Sequence, residues 1–452
     1  MPNEEKCSTG IKALDKILKG GFFRGSTTLL SGHPGVGKTT FAAQFIYDGL
    51  LKGENGVYVS FVENKKEFYR HMNMFNMNFS GFEQNKKFVF IEAAPPPTIA
   101  DLESFISSIF EIVYKHQAKR LVVDSVSPLL AFTDVYKARI LLHNTLIKPL
   151  KNLGVTMLFI IDLPYGKEDS GYGFEEFLAD NVLKMLIKEE KGRLKRYLIL
   201  SKIRESPVIR IAYEFIIHKN GIKLLIPRET YLIGSYSLKR VSTGVLELDN
   251  MLGGGVTQGS VTLISGQSGV GKTILAMLFA VNGALKNEKV VFMSLEESEE
   301  QILTLMKSFN INIEKVRDNL RIVSVITRLL TPVAMYAYIE DLVTDEKPNR
   351  FIIDGLDSLE KTFREEEYLE FARSVITLFK EKGITAYITS LKNIMEKELT
   401  GISTLSDNII ALWFEKEENK LVRKLAVIKT RGSIHDCKIK TVRFEPGKML
   451  LL

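Results

Sequence analysis

Two short runs of this 452-residue sequence have the residue types and spacing to hold a phosphate chain. Gly32-His-Pro-Gly35-Val-Gly37-Lys38-Thr39 and Gly266-Gln-Ser-Gly269-Val-Gly271-Lys272-Thr273 both fit G-x-x-x-x-G-K-[ST]. The glycines let backbone N–H groups curl around a β-phosphate, and the helix that follows turns its positive end toward the same group. Lys38 and Lys272 would reach the β- and γ-phosphates, Thr39 and Thr273 would ligate Mg2+, and Thr40 completes the first binding turn. The partner motif is an apolar run ending in aspartate, which holds the metal through water. Leu121-Val-Val-Asp124 and Phe351-Ile-Ile-Asp354 supply one each. Asp357 reads as a helix cap rather than a ligand.

Hydrolysis asks for more than binding, since a carboxylate must orient or deprotonate the attacking water. Val290-Val-Phe-Met-Ser-Leu-Glu296-Glu297 offers two candidates, and the matching place upstream reads Val62-Glu63. Treated as the end of a strand, the two positions point opposite ways, so one glutamate faces the γ-phosphate and the other faces elsewhere. If the first of the pair is the base, the upstream copy lacks it. A cation can then neutralise charge developing on the phosphoryl group. Lys429-Thr-Arg431-Gly-Ser and Lys202-Ile-Arg204-Glu-Ser put a lysine and an arginine two apart, on one face of a strand, and Glu205 could salt-bridge Arg204.

These motifs come in pairs because the chain is a repeat. Residues 8–39 reappear at 242–273 without a gap, at an offset of 234 that aligns Gly10 with Gly244, Asp15 with Asp249 and Lys38 with Lys272. Two homologous domains are expected, 1–232 and 233–452, joined by the short mixed segment 227–237. Within the first, apolar runs at 27–31, 57–62, 88–91, 121–123 and 156–161 alternate with helical patterns such as 39–50. Matching hairpins follow, at 183–187 with 197–200 around Lys191-Gly192, and at 409–414 with 421–428 around Asn419. The expected fold is α/β: a mainly parallel sheet with helices on both faces and an antiparallel hairpin extension.

Composition narrows the setting. Hydrophobic residues are 45% and charged residues 25%, which excludes disordered and fibrous classes. The longest uncharged stretch, 250–271, is too rich in Gly, Ser and Thr to span a membrane, and the opening Met-Pro-Asn-Glu-Glu-Lys has no signal-peptide core. Cys7 and Cys437 form no metal-ligand spacing or disulfide framework, so a soluble cytoplasmic protein is expected. The net charge of +7 is uneven: residues 1–234 hold 32 basic and 25 acidic side chains, and residues 235–452 hold 29 of each. An acidic or protein partner is therefore expected on the first domain.

The constellation resembles the KaiC-type double-domain ATPases of the RecA superfamily, over nearly the whole length from Ser8-Thr-Gly to Lys429-Thr-Arg-Gly-Ser-Ile-His-Asp436. That resemblance implies tandem RecA-like P-loop NTPase domains, ATP with Mg2+ at subunit interfaces, and a homo-oligomer of two stacked rings, usually hexameric. It also implies that the Lys/Arg pair acts on the neighbouring subunit and that Glu296 is the base. Gly401-Ile-Ser403-Thr404-Leu-Ser406-Asp407 is similar to the family's autophosphorylated stretch, which makes Ser403 and Thr404 candidate acceptors. The chain ends at Leu452 without the family clock protein's extended tail, so a timekeeping role is not expected. RecA relatives also include DNA motors. Here the basic clusters Lys65-Lys66-Arg70, Lys86-Lys87 and Arg193-Lys195-Arg196 are interleaved with acids, which disfavours DNA. The remaining alternative is a nucleotide-gated scaffold with negligible turnover.

Overall fold

The computed structural model describes residues 5–131, 137, 140–164, 179–190, 192–204, 212–225, 239–327, 330–392 and 401–452. The chain divides into two compact units, Met1–Ile226 and Pro227–Leu452. The linking segment 227–237, Lys191 and Glu205 lie outside the described residues.

Each unit is built on one nine-stranded sheet. In the first the order is Gly221–Leu224, Ala212–His218, Arg193–Ile203, Asn181–Glu190, Thr27–Gly32, Thr156–Asp162, Arg120–Asp124, Gly56–Ser60 and Phe88–Glu92. The six strands from Asn181–Glu190 to Phe88–Glu92 are parallel, and the other three extend the sheet antiparallel. The second unit repeats this order around Val261–Gly266. The fold class is the expected one.

Side-chain alternation along the strands creates the layers. In Thr156–Asp162, Leu158 and Ile160 join the core beneath helix Lys38–Leu51, with Phe41, Phe45 and Tyr58. Met157, Phe159 and Ile161 point the other way, to Ile106, Ile109 and Val113 of helix Ile99–Lys115. Both faces are covered, which is why these strands read as unbroken apolar runs.

Two features were not anticipated. Each sheet gains a second hairpin, Ala212–His218 with Gly221–Leu224 and Lys440–Glu445 with Lys448–Leu451. Their turns carry Asn220-Gly221 and Pro446-Gly447, signals that could have revealed them. Each unit also buries an arginine, Arg120 and Arg350, both 1% exposed. Arg350 donates Nη1 to the carbonyls of Ser242 (3.0 Å) and Phe279 (2.9 Å), pairs with Glu288, and lies 4.5 Å over the Phe279 ring. Arg120 does the same with Ser8, Phe45 and Glu54. These clamps tie the N-terminal Ser-Thr-Gly turn of each repeat to the helix after its phosphate loop. Arg350→Met strands two carbonyls and a carboxylate, and should cost on the order of 3 kcal/mol in urea unfolding.

Candidate functional site

Each phosphate loop leaves a fully buried strand and enters a helix at its lysine. Gly37 and Gly271, the residues just before those helices, have φ of 109° and 108°, which L side chains rarely adopt. They are also roofed by the unanticipated hairpins: a Cβ at Gly37 would meet Ile217, and one at Gly271 would meet the Phe444 ring. Gly271→Ala is expected to cost about 1–3 kcal/mol and to weaken nucleotide binding, read from a denaturant midpoint and a fluorescent-nucleotide titration. Gly32 and Gly266 are approached by the Met185 and Leu412 carbonyls, while Gly35 (φ 71°) and Gly269 (φ 79°) stand at the open loop tip.

The polar residues around each loop contact one another. Lys38 Nζ donates to the carbonyls of Gly32 (2.9 Å) and His33 (3.0 Å), and Lys272 Nζ to those of Gly266 and Gln267 (both 2.8 Å). Thr39 Oγ1 donates to Asp124 at 2.8 Å, and Thr273 Oγ1 to Asp354 at 2.9 Å. Thr40 is buried in the first helix. Burial pushes both aspartate carboxyls up from their ordinary value, against their hydrogen bonds. A threonine hydroxyl beside one carboxylate suits Mg2+, which takes few protein oxygens and keeps waters and phosphates. Among the described residues no three His, Cys, Asp or Glu cluster as a protein-only metal cage would require. Asp357 accepts from Ser390 Oγ at 2.9 Å and from the Leu391 N–H, a structural role.

The glutamates differ from expectation in local structure. The strands end at Ser60 and Ser294, so Val62, Glu296 and Glu297 sit in bends, Glu63 follows one, and strand alternation does not separate them. The helix begins at Glu299 with a Ser298–Gln301 capping box, leaving both glutamates outside it. The register between copies is nevertheless firm. Glu63 N–H donates to Ser60 Oγ at 3.0 Å, and Glu297 N–H to Ser294 Oγ at 2.9 Å. Val62 therefore occupies the place of Glu296, and it exposes 65% of an apolar side chain there. Glu296 is exposed, accepts from Ser358 Oγ at 3.2 Å, and packs against Gly355 beside Asp354. Its charge, after those of Asp354 and Asp357, opposes the burial that lowers the Lys272 ammonium. Burial, then Asp354 and Glu296, pushes Glu297 up. Glu63 instead faces His71, 3.1 Å from Nδ1.

The copies also differ around the aspartates. Tyr58 hydroxyl donates to Asp124 at 2.7 Å, where the second unit has Phe292 at the matching strand position. Thr389 Oγ1 donates to Asp354 at 2.6 Å instead.

The lysine–arginine pairs follow β-bulges near Val182/Leu183 and Ile409/Ile410, which re-aim the strand. Lys429 Nζ donates to the carbonyls of Ser403 (3.1 Å) and Ser406 (2.8 Å), and Arg431 Nη2 to that of Thr404 (2.8 Å). Burial and the neighbouring Arg431 lower the Lys429 ammonium. Lys202 reaches the Ala179 carbonyl at 2.9 Å, and Arg204 pairs with Asp180 at 3.0 Å. The pairs are thus brought to the segments before the hairpins rather than to the phosphate loops. Ser403 is buried and Thr404 exposed in the short helix Ile402–Leu405. Two of the basic clusters weighed for DNA contain ion pairs: Lys65 with Glu83 at 2.6 Å, and Lys195 with Glu214 at 3.2 Å. No helix among the described residues is long and apolar enough to cross a membrane.

The family model for the ATPase KaiC matches residues 7–229 and again 241–448. The chain is 31% identical over 455 residues to a circadian clock protein KaiC3 from Synechocystis sp., covering 96% of this chain and 89% of that protein. It is also 31% identical over 453 residues to the circadian clock oscillator protein KaiC of Thermostichus vulcanus, covering 96% and 86%. With that of Synechococcus elongatus it is 30% identical over 450 residues, covering 96% and 86%.

Proposed function

This chain belongs to the KaiC family of ATPases, and from that premise we propose that its second unit hydrolyses ATP while its first holds nucleotide chiefly to stabilise a ring. The observation that carries this reading is the register of the two bends, with Glu296 in one copy and Val62 in the other. Glu296 would orient the attacking water and Lys272 would grip the β- and γ-phosphates, while the loop amides cradle the β-phosphate. Mg2+, held by Thr273 and Asp354 in one unit and by Thr39 and Asp124 in the other, would neutralise charge between the β- and γ-phosphates. Glu297 and Glu63 would act as neighbours that shape the field rather than as bases.

The reading includes a hexameric double ring with ATP at subunit interfaces, and Lys429/Arg431 and Lys202/Arg204 acting on the neighbour's nucleotide. The bulges that re-aim these side chains support it. A ring that responds to its nucleotide would serve a signalling or regulatory role, with the first unit's excess of basic residues facing an acidic or protein partner. Exposed free Cys437 fits a reducing, cytoplasmic setting. Autophosphorylation at Ser403 or Thr404 extends the same chemistry. Thr404, the exposed one, would be modified before buried Ser403.

Lys38→Ala tests the division of labour. Sedimentation in ATP should show smaller assemblies, while phosphate release per assembled ring stays within about threefold of the wild type. A variant that assembles normally and loses most turnover contradicts the reading. Intact mass after incubation with ATP reads phosphorylation in the same samples.

A further inference from the structure

The first unit carries a carboxylate at a strand position where the second has Leu391. Asp162 ends the strand Thr156–Asp162, and its Oδ1 lies 3.1 Å from Lys38 Nζ. Its other oxygen accepts from Ser125 Oγ at 2.8 Å, and its N–H donates to Ser127 Oγ at 3.0 Å. The side chain is therefore fixed at two points although 47% exposed. Strand register identifies its counterpart. Arg120 pairs with Thr156 and Arg350 with Thr385, so six residues further on Asp162 corresponds to Leu391. Among the described residues no carboxylate bridges Lys272.

A lysine ammonium has three N–H donors. In the first unit they are matched by Gly32 O, His33 O and the Asp162 carboxylate. In the second, Gly266 O and Gln267 O take two, and among the described residues no acceptor takes the third, which is left for a phosphate oxygen. The lysine reaches both phosphates, but a β-phosphate also has the loop amides around it, whereas a γ-phosphate relies more on the lysine. In the first unit a γ-phosphate must compete with Asp162 for Lys38 and bring its charge close to a like charge. Asp162 also adds, among smaller influences, to the field that raises Asp124.

We propose that Asp162 is a specificity-determining residue that makes the first nucleotide site favour a nucleoside diphosphate over a triphosphate, relative to the second site. The proposal rests on the reading that the first unit binds nucleotide. It gives that unit a distinct use: its occupancy would follow the diphosphate pool, while the second unit draws on the triphosphate.

The 452-residue protein carrying Lys272→Ala, which weakens the second site's hold on a triphosphate, is titrated with ADP and with the imido analogue of ATP, with and without Asp162→Asn, so that the difference between the two proteins reads the first site. Asparagine keeps an acceptor for Ser125 and removes the charge. The triphosphate analogue should bind about tenfold more tightly to the Asp162→Asn protein, with the ADP constant unchanged within about threefold. In the converse variant, Leu391→Asp with Lys38→Ala, the analogue should bind the second site more weakly while ADP holds. Parallel changes for both nucleotides, or analogue binding that is unchanged or weaker in Asp162→Asn, overturn the proposal and leave nucleotide binding by the first unit intact. Absence of ADP binding to the Lys272→Ala protein overturns both.

Discussion

Glu296→Gln is expected to lower steady-state ATP turnover by about 10²–10⁴-fold while nucleotide affinity changes by no more than a few-fold. Glutamine keeps the size of the side chain and an acceptor for Ser358 Oγ, so the bend after Ser294 and its packing against Gly355 should survive. What disappears is a negative charge beside Asp354 and Lys272, the charge that would polarise water toward a γ-phosphate. A loss confined to kcat is the mark of an interaction made in the transition state. A rise in KM with kcat preserved would instead make Glu296 a binding residue. The reciprocal change is informative too. Val62→Glu installs a carboxylate at the equivalent bend, at a side chain already 65% exposed, where folding should tolerate it. Phosphate release from the first unit should then rise in a Lys272→Ala background.

Arg431→Ala is expected to cost about 10³-fold in turnover, the scale on which an arginine neutralises a transferring phosphoryl group. A competing explanation lies inside the chain, because Arg431 also holds the Thr404 carbonyl and sits 3.9 Å from Asp407. Mixing separates the two. Arg431→Ala subunits keep their phosphate loop, and Lys272→Ala subunits keep their arginine. Each should have little turnover alone. In an equimolar mixed ring about a quarter of interfaces would join an intact loop to an intact arginine across the subunit boundary. Turnover should recover to roughly that fraction of the wild type if the arginine acts on its neighbour. No recovery in rings proven to be mixed would mean that Arg431 acts within its own subunit.

Duplication explains why so much of this architecture was readable. Lys38-Thr39 and Lys272-Thr273 stand at fixed short spacings from their glycines on a single strand–helix turn, Asp124 and Asp354 each end an apolar strand, and a second copy corroborates each. The residues missed have no such local signature. Asp162 reaches Lys38 from a strand more than a hundred residues downstream, and Tyr58 reaches Asp124 from the adjacent strand. Only pairing register reveals either. Arg120 and Arg350 were unreadable for another reason, since a charge ahead of an apolar run looks like a solvated strand end until its carbonyl partners are seen. The glutamates lie past a strand end that the apolar run does not mark. Alternation stops at Ser60 and Ser294, and beyond them the hydrogen bonds of Glu63 and Glu297 to those serines set the geometry instead. The outer hairpins went unrecognised although Asn220-Gly221 and Pro446-Gly447 mark their turns. They bring Ile217 and Phe444 over the loop glycines, so the missed strands bear directly on the site.

Two loops of nearly equal geometry are expected to do unequal work. Phosphate release by Lys38→Ala and Lys272→Ala, measured side by side at concentrations where both are assembled, tests it most directly. Lys272→Ala should lose at least about nine-tenths of wild-type turnover, and Lys38→Ala should stay within about threefold of the wild type. Equal losses, or the larger loss in Lys38→Ala, would contradict it.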